Sequence, residues 1–110
     1  MRALVASLLL MTGAAWGAAA QPIVLDTDIG DDIDDTWALA MLLTAPDADV
    51  RLITTATGNT TARTRLAAKL LEALDRTDVV LGTGVQENDA PLHQDAWLGD
   101  YALNGYPGMV

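Results

Sequence analysis

The residues best suited to chemistry are six aspartates within the ten-residue stretch DTDIGDDIDD: Asp26, Asp28, Asp31, Asp32, Asp34 and Asp35. Carboxylates this close repel one another and raise one another's pKa, so the stretch needs a cation or a solvated loop. Carboxylate oxygens are hard ligands, and the matching ions are calcium or magnesium. An ion held there could orient a polyhydroxylated substrate and activate a bound water. The stretch therefore predicts a metal-dependent site.

A solvated acidic loop is the simplest alternative to a metal site. Acidic residues are favoured at the start of a helix by the helix dipole, which would account for Asp34 and Asp35. It would not account for Asp26 and Asp28, which follow directly on the apolar run PIVL of a predicted buried strand. This pair favours the functional interpretation.

The EF-hand and the Asp-x-Asp loop of phosphatases are two other acidic loops that this stretch could form. An EF-hand loop needs Gly at position 6 and Glu at position 12, but counting from Asp26 these positions hold Asp31 and Trp37. A phosphatase of the haloacid-dehalogenase type also has Asp-x-Asp after a buried strand, with Asp26 as nucleophile and Asp28 as acid/base. That type usually continues with Gly-Thr, whereas Ile29-Gly30 is followed here by four more acids. The EF-hand is excluded, and the phosphatase remains an alternative.

The apolar pattern predicts three strands and two helices in alternation. The strands are residues 22–27, 49–57 and 78–84. The first helix runs from Asp34 or Asp35 to Thr44, and the second runs from a cap at Thr60 or Thr61 to about Arg76. This alternation with short connections is typical of the α/β class. We expect a Rossmann-like open parallel sheet with helices on both faces, of which this chain holds the N-terminal βαβαβ portion.

The two predicted helices differ in polarity. The first is apolar nearly all round, so it is expected to be buried on most sides, with Trp37 in the core. The second has one apolar face, and its charged residues fall mainly on the other: Arg63, Arg65, Lys69, Glu72 and Arg76. The chain beyond Gln86 has the composition of a loop.

Polar residues follow each predicted strand. Asp26 and Asp28 end the first strand, Gly58 and Asn59 follow the second, and the third ends in residues 82–84. Ligands of open parallel sheets bind outside the carboxyl ends of the strands. The acidic stretch therefore lies where a site is expected.

Composition limits the classes of partner. The 110 residues carry 15 acidic and 6 basic side chains, a formal net charge of -9, which makes nucleic acid an unsuitable partner. There is no cysteine, which excludes disulfides, thiol nucleophiles and thiolate metal sites. The 51% hydrophobic content is typical of a globular chain.

The N-terminus has the features of an export signal. Residues 1–20 combine Arg2, an apolar stretch and the small residues Ala18-Ala19-Ala20 before Gln21. We expect cleavage after Ala20, a periplasmic or secreted location, and no stable membrane association of the mature protein. The rest, residues 21–110, is expected to be a truncated domain.

The segment IVLDTDIGDDIDDTWALAMLL resembles the N-terminal signature of the inosine-uridine-preferring nucleoside hydrolases, an apolar strand, Asp-x-Asp-Pro-Gly-x-Asp-Asp-Ala and an apolar helix. RLITTATGNTTARTRLAAKLLEAL and VVLGTG resemble the next strand, Gly-Asn turn, helix and strand. Here Ile29 replaces the family's Pro, and Asp31-Asp32 are two extra residues. The family's paired acids align with Asp34 and Asp35. The alternative assignment to Asp31 and Asp32 stays open.

The resemblance implies a role for each site residue. Asp28 would be a calcium ligand and the general base, and Asp35 a second calcium ligand. Asp34 would hydrogen-bond a ribose hydroxyl, Asn59 would border the sugar pocket, and Asp26 would support the strand end. The implied reaction of the full-length protein is calcium-dependent hydrolysis of a nucleoside to ribose and free base, a step of purine or pyrimidine salvage.

Other expectations concern the fragment and its surface. A non-catalytic secreted module that binds calcium or sugar is a further alternative, and a homo-oligomer is a candidate assembly. The isolated fragment is expected to be inactive because its sheet is incomplete. His93 is expected on the surface, while Trp97, Tyr101 and Tyr106 either stack on a base or, more simply, cover the core.

Overall fold

The computed structural model describes residues 19–110, which form a three-stranded parallel sheet with two main helices. The strands are β1 (Gln21–Thr27), β2 (Ala48–Thr55) and β3 (Val80–Thr83). Helix α1 (Ile33–Thr44) joins the first two strands and α2 (Thr60–Ala73) the last two, and α3 (Asp95–Leu98) and a 3-10 turn (Leu103–Gly105) follow. The predicted parallel α/β alternation is confirmed. The predicted signal peptide falls on residues 1–20, almost wholly outside the described residues.

The strand order is β1-β2-β3, and the three strands end at one level. Thr27 is opposite Thr55, and Thr55 is opposite Thr83, so the chain leaves every strand at the same edge. Residues that follow β1, β2 and β3 are therefore close in space although they are far apart in the sequence. This edge is where the sequence predicts a site.

The core lies between the sheet and the two helices. Ile53 and Leu81 of the sheet and Leu39, Leu66 and Leu71 of the helices are each at most 2% exposed. Both helices contact the same face of the sheet, since Thr27 bonds to α1 and Thr55 bonds to α2. Parallel strands joined in this order by right-handed crossovers place both helices on one side. The opposite face leaves Val24 66% exposed.

The expected burial of α1 on most sides is wrong. Ile33, Trp37 and Met41 are 58%, 69% and 67% exposed, whereas Leu39 and Leu43 are buried. Residues four apart lie on one side of a helix, so these three form a stripe that points away from the sheet. An all-apolar helix carries no periodic signal for which side packs, and Trp37 is on the surface rather than in the core. Among residues 19–110 no helix is long and apolar enough to cross a bilayer.

The N-cap of helix α2 is one residue earlier than predicted. Asn59, rather than Thr60 or Thr61, is the N-cap, and its side-chain oxygen accepts a hydrogen bond from the amide of Ala62. Thr60 is fully buried and its hydroxyl donates to the carbonyl of Gly84 at 2.8 Å. This bond ties the start of α2 to the chain that leaves β3.

Candidate functional site

An acidic pocket lies at the carboxyl end of β1. Its volume is about 210 Å³, and five aspartates line it: Asp28, Asp31, Asp32, Asp34 and Asp35. The turn that shapes it passes through Gly30, whose φ of +125° is a conformation that other residues rarely adopt. A Cβ atom at Gly30 would also come within 2.6 Å of Leu92. The sharp turn returns the chain to the start of α1 and so brings the carboxylates together.

Asp35 is held directly against the end of β1. Its Oδ2 atom accepts hydrogen bonds from the Thr27 hydroxyl at 2.6 Å and from the Asp28 amide at 3.2 Å. The Thr27 hydroxyl in turn accepts a bond from the amide of Ile29 at 3.1 Å. The first turn of α1 is thereby fixed to the strand that precedes it, and the carboxyl groups of Asp28 and Asp35 are neighbours.

The two carboxyl groups have opposite pKa shifts. The pKa of Asp28 is raised above 3.8, first by its side-chain hydrogen bond with Asp35 and then by burial and the charge of that neighbour. The pKa of Asp35 is lowered, chiefly by the hydrogen bond from Thr27. Environments that separate two carboxyl pKa values assign different roles to the two groups. Of the two groups, Asp28 is the one whose carboxylate is protonated first as the pH falls.

Arg63 lies beneath the acidic turn, and its expected place on the exposed polar face of α2 is wrong. The residue is 5% exposed, and its guanidinium Nη2 atom is 2.8 Å from the Asp31 carboxylate. This contact holds the pKa of Asp31 below its usual range. One signal in the sequence could have identified Arg63: it precedes Leu66 and Ala67 by three and four residues, the spacing of one helical face.

The structure brings three of the five predicted site residues into the pocket, namely Asp28, Asp34 and Asp35. Asp34 also accepts a hydrogen bond from the amide of Asp35 at 3.0 Å. Asp26 and Asn59 do not line the pocket. Asp26 accepts a bond from the Thr54 hydroxyl at 2.6 Å. The side-chain Nδ2 atom of Asn59 donates to the Ala90 carbonyl at 2.9 Å, while the side-chain Oδ1 atom caps α2.

The sequence left open whether Asp31 or Asp35 acts together with Asp28, and the hydrogen bonds distinguish these two residues. Asp31 bonds to Arg63 and accepts the amide of His93 at 3.2 Å, so its oxygens already have protein partners. Asp35 is the carboxylate beside Asp28. This arrangement favours Asp35 over Asp31 as the partner of Asp28.

The acidic pocket provides part of the oxygen ligands that a hard divalent cation such as calcium needs. Within residues 19–110, no three acidic or histidine side chains converge closely enough to hold a metal ion alone. The neighbouring carboxylates of Asp28 and Asp35 nevertheless offer oxygen ligands, and the pKa of Asp28 is raised first by its hydrogen bond with Asp35, then by burial and by the charge of that neighbour. Calcium takes six to eight oxygen ligands, of which these residues can supply a share.

The three aromatic residues of the C-terminal segment lie outside the acidic pocket. Tyr106 is 8% exposed and belongs to the core. Trp97 packs under the Lys69 ammonium, 4.8 Å from the ring centre, and Tyr101 donates to Glu72 at 2.7 Å. None of these three rings lines the acidic pocket. His93 is exposed, as predicted.

Comparison with known proteins supports the resemblance. The family model described as inosine-uridine preferring nucleoside hydrolase matches residues 23–109. The chain is 36% identical over 92 residues to the pyrimidine-specific ribonucleoside hydrolase RihA of Escherichia coli O7:K1, covering 82% of this chain and 28% of that protein. It is 42% identical over 88 residues to the non-specific ribonucleoside hydrolase RihC of Salmonella agona, covering 76% of this chain and 28% of the relative.

A plant relative extends the range of similar proteins. The probable uridine nucleosidase 2 of Arabidopsis thaliana is 43% identical over 75 residues, which cover 64% of this chain and 23% of that protein. The chain thus spans less than a third of the length of these relatives. No solved structure matches it. Because the family model covers residues 23–109, the chain belongs to the inosine-uridine preferring nucleoside hydrolase family.

Proposed function

We propose that the full-length protein hydrolyses the N-glycosidic bond of ribonucleosides, with calcium as cofactor, and releases ribose and free base. The observation that carries this proposal is the pair Asp28 and Asp35 at the carboxyl end of β1, with separated pKa values in a five-carboxylate pocket. The names of the similar proteins, two ribonucleoside hydrolases and a probable uridine nucleosidase, support the same reaction class.

Asp28 and Asp35 are proposed as ligands of the ion. Calcium bound there would bind sugar hydroxyls and lower the pKa of a coordinated water. Thr27 and the amide of Asp28 hold Asp35 in place for this role, which spares the site the cost of ordering it on binding.

Asp28 is proposed as the general base that takes a proton from the attacking water. Asp28 lines the pocket beside Asp35, and a positioned carboxylate can accept a proton from water as a general base. As water adds to the anomeric carbon, the bond between sugar and base breaks and its electron pair leaves with the base, which then takes up a proton from solvent. The surrounding carboxylates favour the positive charge that develops on the sugar ring.

The remaining predicted residues support the sugar in this proposal. Asp34 lines the same pocket, which supports the proposal that its carboxylate accepts a hydrogen bond from a ribose hydroxyl. Asp26 braces the end of β1 through Thr54, and Asn59 fixes the start of α2 beside the second strand end. The phosphatase alternative is not favoured, because its nucleophile would be Asp26 and this residue does not line the pocket.

The direct test is an assay of the full-length protein with inosine, uridine and an aryl phosphate, with calcium or with a chelator. Ribose release that needs calcium is the expected result, measured as reducing sugar. Phosphate release would instead favour the phosphatase class. Calcium binding without either product would favour a non-catalytic calcium- or sugar-binding module.

The calcium affinity is expected to depend on pH. Ion binding needs both carboxylates ionised; Asp35 has a lowered pKa and stays ionised, whereas Asp28 has a raised pKa and must lose its proton. The affinity should be constant above the pKa of Asp28 and fall about tenfold per pH unit below it, since one proton is released.

Isothermal titration calorimetry across this pH range would measure the effect. The midpoint should lie above 3.8, the ordinary value for aspartate. In Asp28→Asn the residual affinity should lose this dependence. A wild-type midpoint at or below the ordinary value would show that Asp28 does not compete with the ion for a proton.

A further inference from the structure

We propose that Arg63 is a positioning residue that holds the main chain of Asp28 and Ile29, and thereby sets calcium affinity and turnover. Its Nη1 atom donates to the carbonyl of Asp28 and, at 2.9 Å, to that of Ile29. The proposal rests on the proposed function and adds to it a residue from α2, far from the acidic stretch in sequence.

Arg63 joins the turns that follow two different strands. Its Nε atom donates to the Thr57 carbonyl at 2.8 Å, after β2, while Nη1 and Nη2 reach residues 28–31 after β1. Thr57 has a φ of +69°, which is unusual for a β-branched residue. Such a conformation persists where surrounding contacts fix it, and the Arg63 bond is one such contact. The two turns are thus locked to one guanidinium.

The contacts need an arginine rather than any cation. Four acceptors in different directions bind one planar group that is 5% exposed. A guanidinium presents five N–H donors in a rigid fork, whereas a lysine ammonium presents three donors around a single atom. Lysine at this position would keep the charge but lose several of the carbonyl bonds.

The position of Asp28 depends on contacts to both its main-chain amide and its main-chain carbonyl. Its carbonyl accepts from Arg63 and its amide donates to Asp35. Without Arg63 the Asp28 carbonyl loses its side-chain partner, and the Asp28 side chain can shift relative to Asp35 although the Ile29 amide still bonds to the Thr27 hydroxyl. Outer contacts that orient metal ligands commonly change metal affinity or activity by about 10- to 100-fold.

Loss of the Arg63 charge and loss of its hydrogen-bond geometry would change calcium affinity in opposite directions, so the test must separate the two effects. The Arg63 guanidinium is a cation near the ion, and its removal alone would strengthen calcium binding. Arg63→Lys keeps the charge and changes the geometry. Arg65→Lys is the matched control, because Arg65 lies on the same helix and donates to the carbonyl of Tyr101 at 2.7 Å, away from the acidic turn.

The experiment uses the full-length protein with calcium as the probe. Calcium affinity is measured by calorimetry without nucleoside, kcat is measured at saturating calcium and nucleoside, and thermal melting checks folding. Arg63→Lys is expected to weaken calcium binding and to lower kcat, each by about tenfold or more. Arg65→Lys should change both by less than about twofold, even where its melting temperature falls, because surface-side contacts act mainly on stability.

A folded Arg63→Lys variant with wild-type affinity and kcat would overturn the proposal. If that variant does not fold, Arg63→Gln avoids an unpaired buried ammonium, and its kcat at saturating calcium should still fall about tenfold. Wild-type kcat in Arg63→Gln would then overturn it. Calcium binding by the wild type without ribose release would refute the proposed function alone, while the Arg63 and Arg65 affinities would still decide the positioning role.

Discussion

Replacing Asp28 by Asn in the full-length protein is expected to lower kcat for nucleoside hydrolysis by about a thousandfold, within the range of a lost general base. Asparagine has nearly the same shape and can still offer an oxygen, but its amide cannot accept a proton from water. Asp28 is suited to this role by its place in the acidic pocket beside Asp35, where its amide donates to the Asp35 carboxylate. Initial rates of ribose release at saturating calcium would measure the loss.

The changes in calcium affinity and in kcat caused by Asp28→Asn distinguish a general base from a residue that only ligates the ion. A residue that only ligates the ion should lose calcium affinity and recover its kcat when calcium is raised. Asp49→Asn is the control, because Asp49 lies near the opposite end of the sheet and pairs with Arg51 at 2.6 Å. If kcat of Asp28→Asn at saturating calcium matches that control, the base is another group.

Replacing Gly84 by Ala is expected to destabilise the protein by about 3 kcal/mol, the upper end of the usual cost of overpacking. A Cβ atom at Gly84 would lie 2.0 Å from the carbonyl oxygen of Thr55. That oxygen belongs to the main chain of β2 and cannot rotate away. Relief would require β2 and the segment after β3 to separate, which would also strain the bond from the Thr60 hydroxyl to the Gly84 carbonyl.

Urea unfolding of the full-length protein would give the change in the free energy of unfolding. Gly105→Ala is the matched control, because a Cβ atom there meets nothing within 4 Å. Its effect should stay within about 0.5 kcal/mol, as for most surface substitutions. Equal stability of the two variants would show that the segment after β3 does not approach β2 as closely as the structure has it.

Much of the fold follows from local pattern. Short apolar runs and helical periods fix the order of strands and helices, and short connections between parallel strands require the sheet that is observed. The same local order predicts the acidic pocket. Asp28 follows β1, and Asp34 and Asp35 lie in the first turn of α1, so a single tight turn at Gly30 brings them together.

Burial of the helices could not be predicted in the same way. Trp37 is exposed because α1 contacts the sheet through Leu39 and Leu43, and an all-apolar helix does not indicate which of its sides will pack. Arg63 is buried because its fork satisfies four acceptors at once. A charged residue is expected to be exposed unless it has hydrogen-bond or ion-pair partners. The partners of Arg63 lie in the turns after β1 and β2.

The sequence by itself determined the α/β class, the family resemblance and the position of the acidic site after β1, because these depend on periodicity and on neighbouring residues. Only the tertiary structure decided which carboxylate is the neighbour of Asp28 and which is tied to a cation. Asp35 accepts hydrogen bonds from the Thr27 hydroxyl and from the Asp28 amide, while Asp31 is bound to Arg63 of α2. The physical reason is that these pairings are contacts between separate elements, and their geometry exists only once the elements have packed.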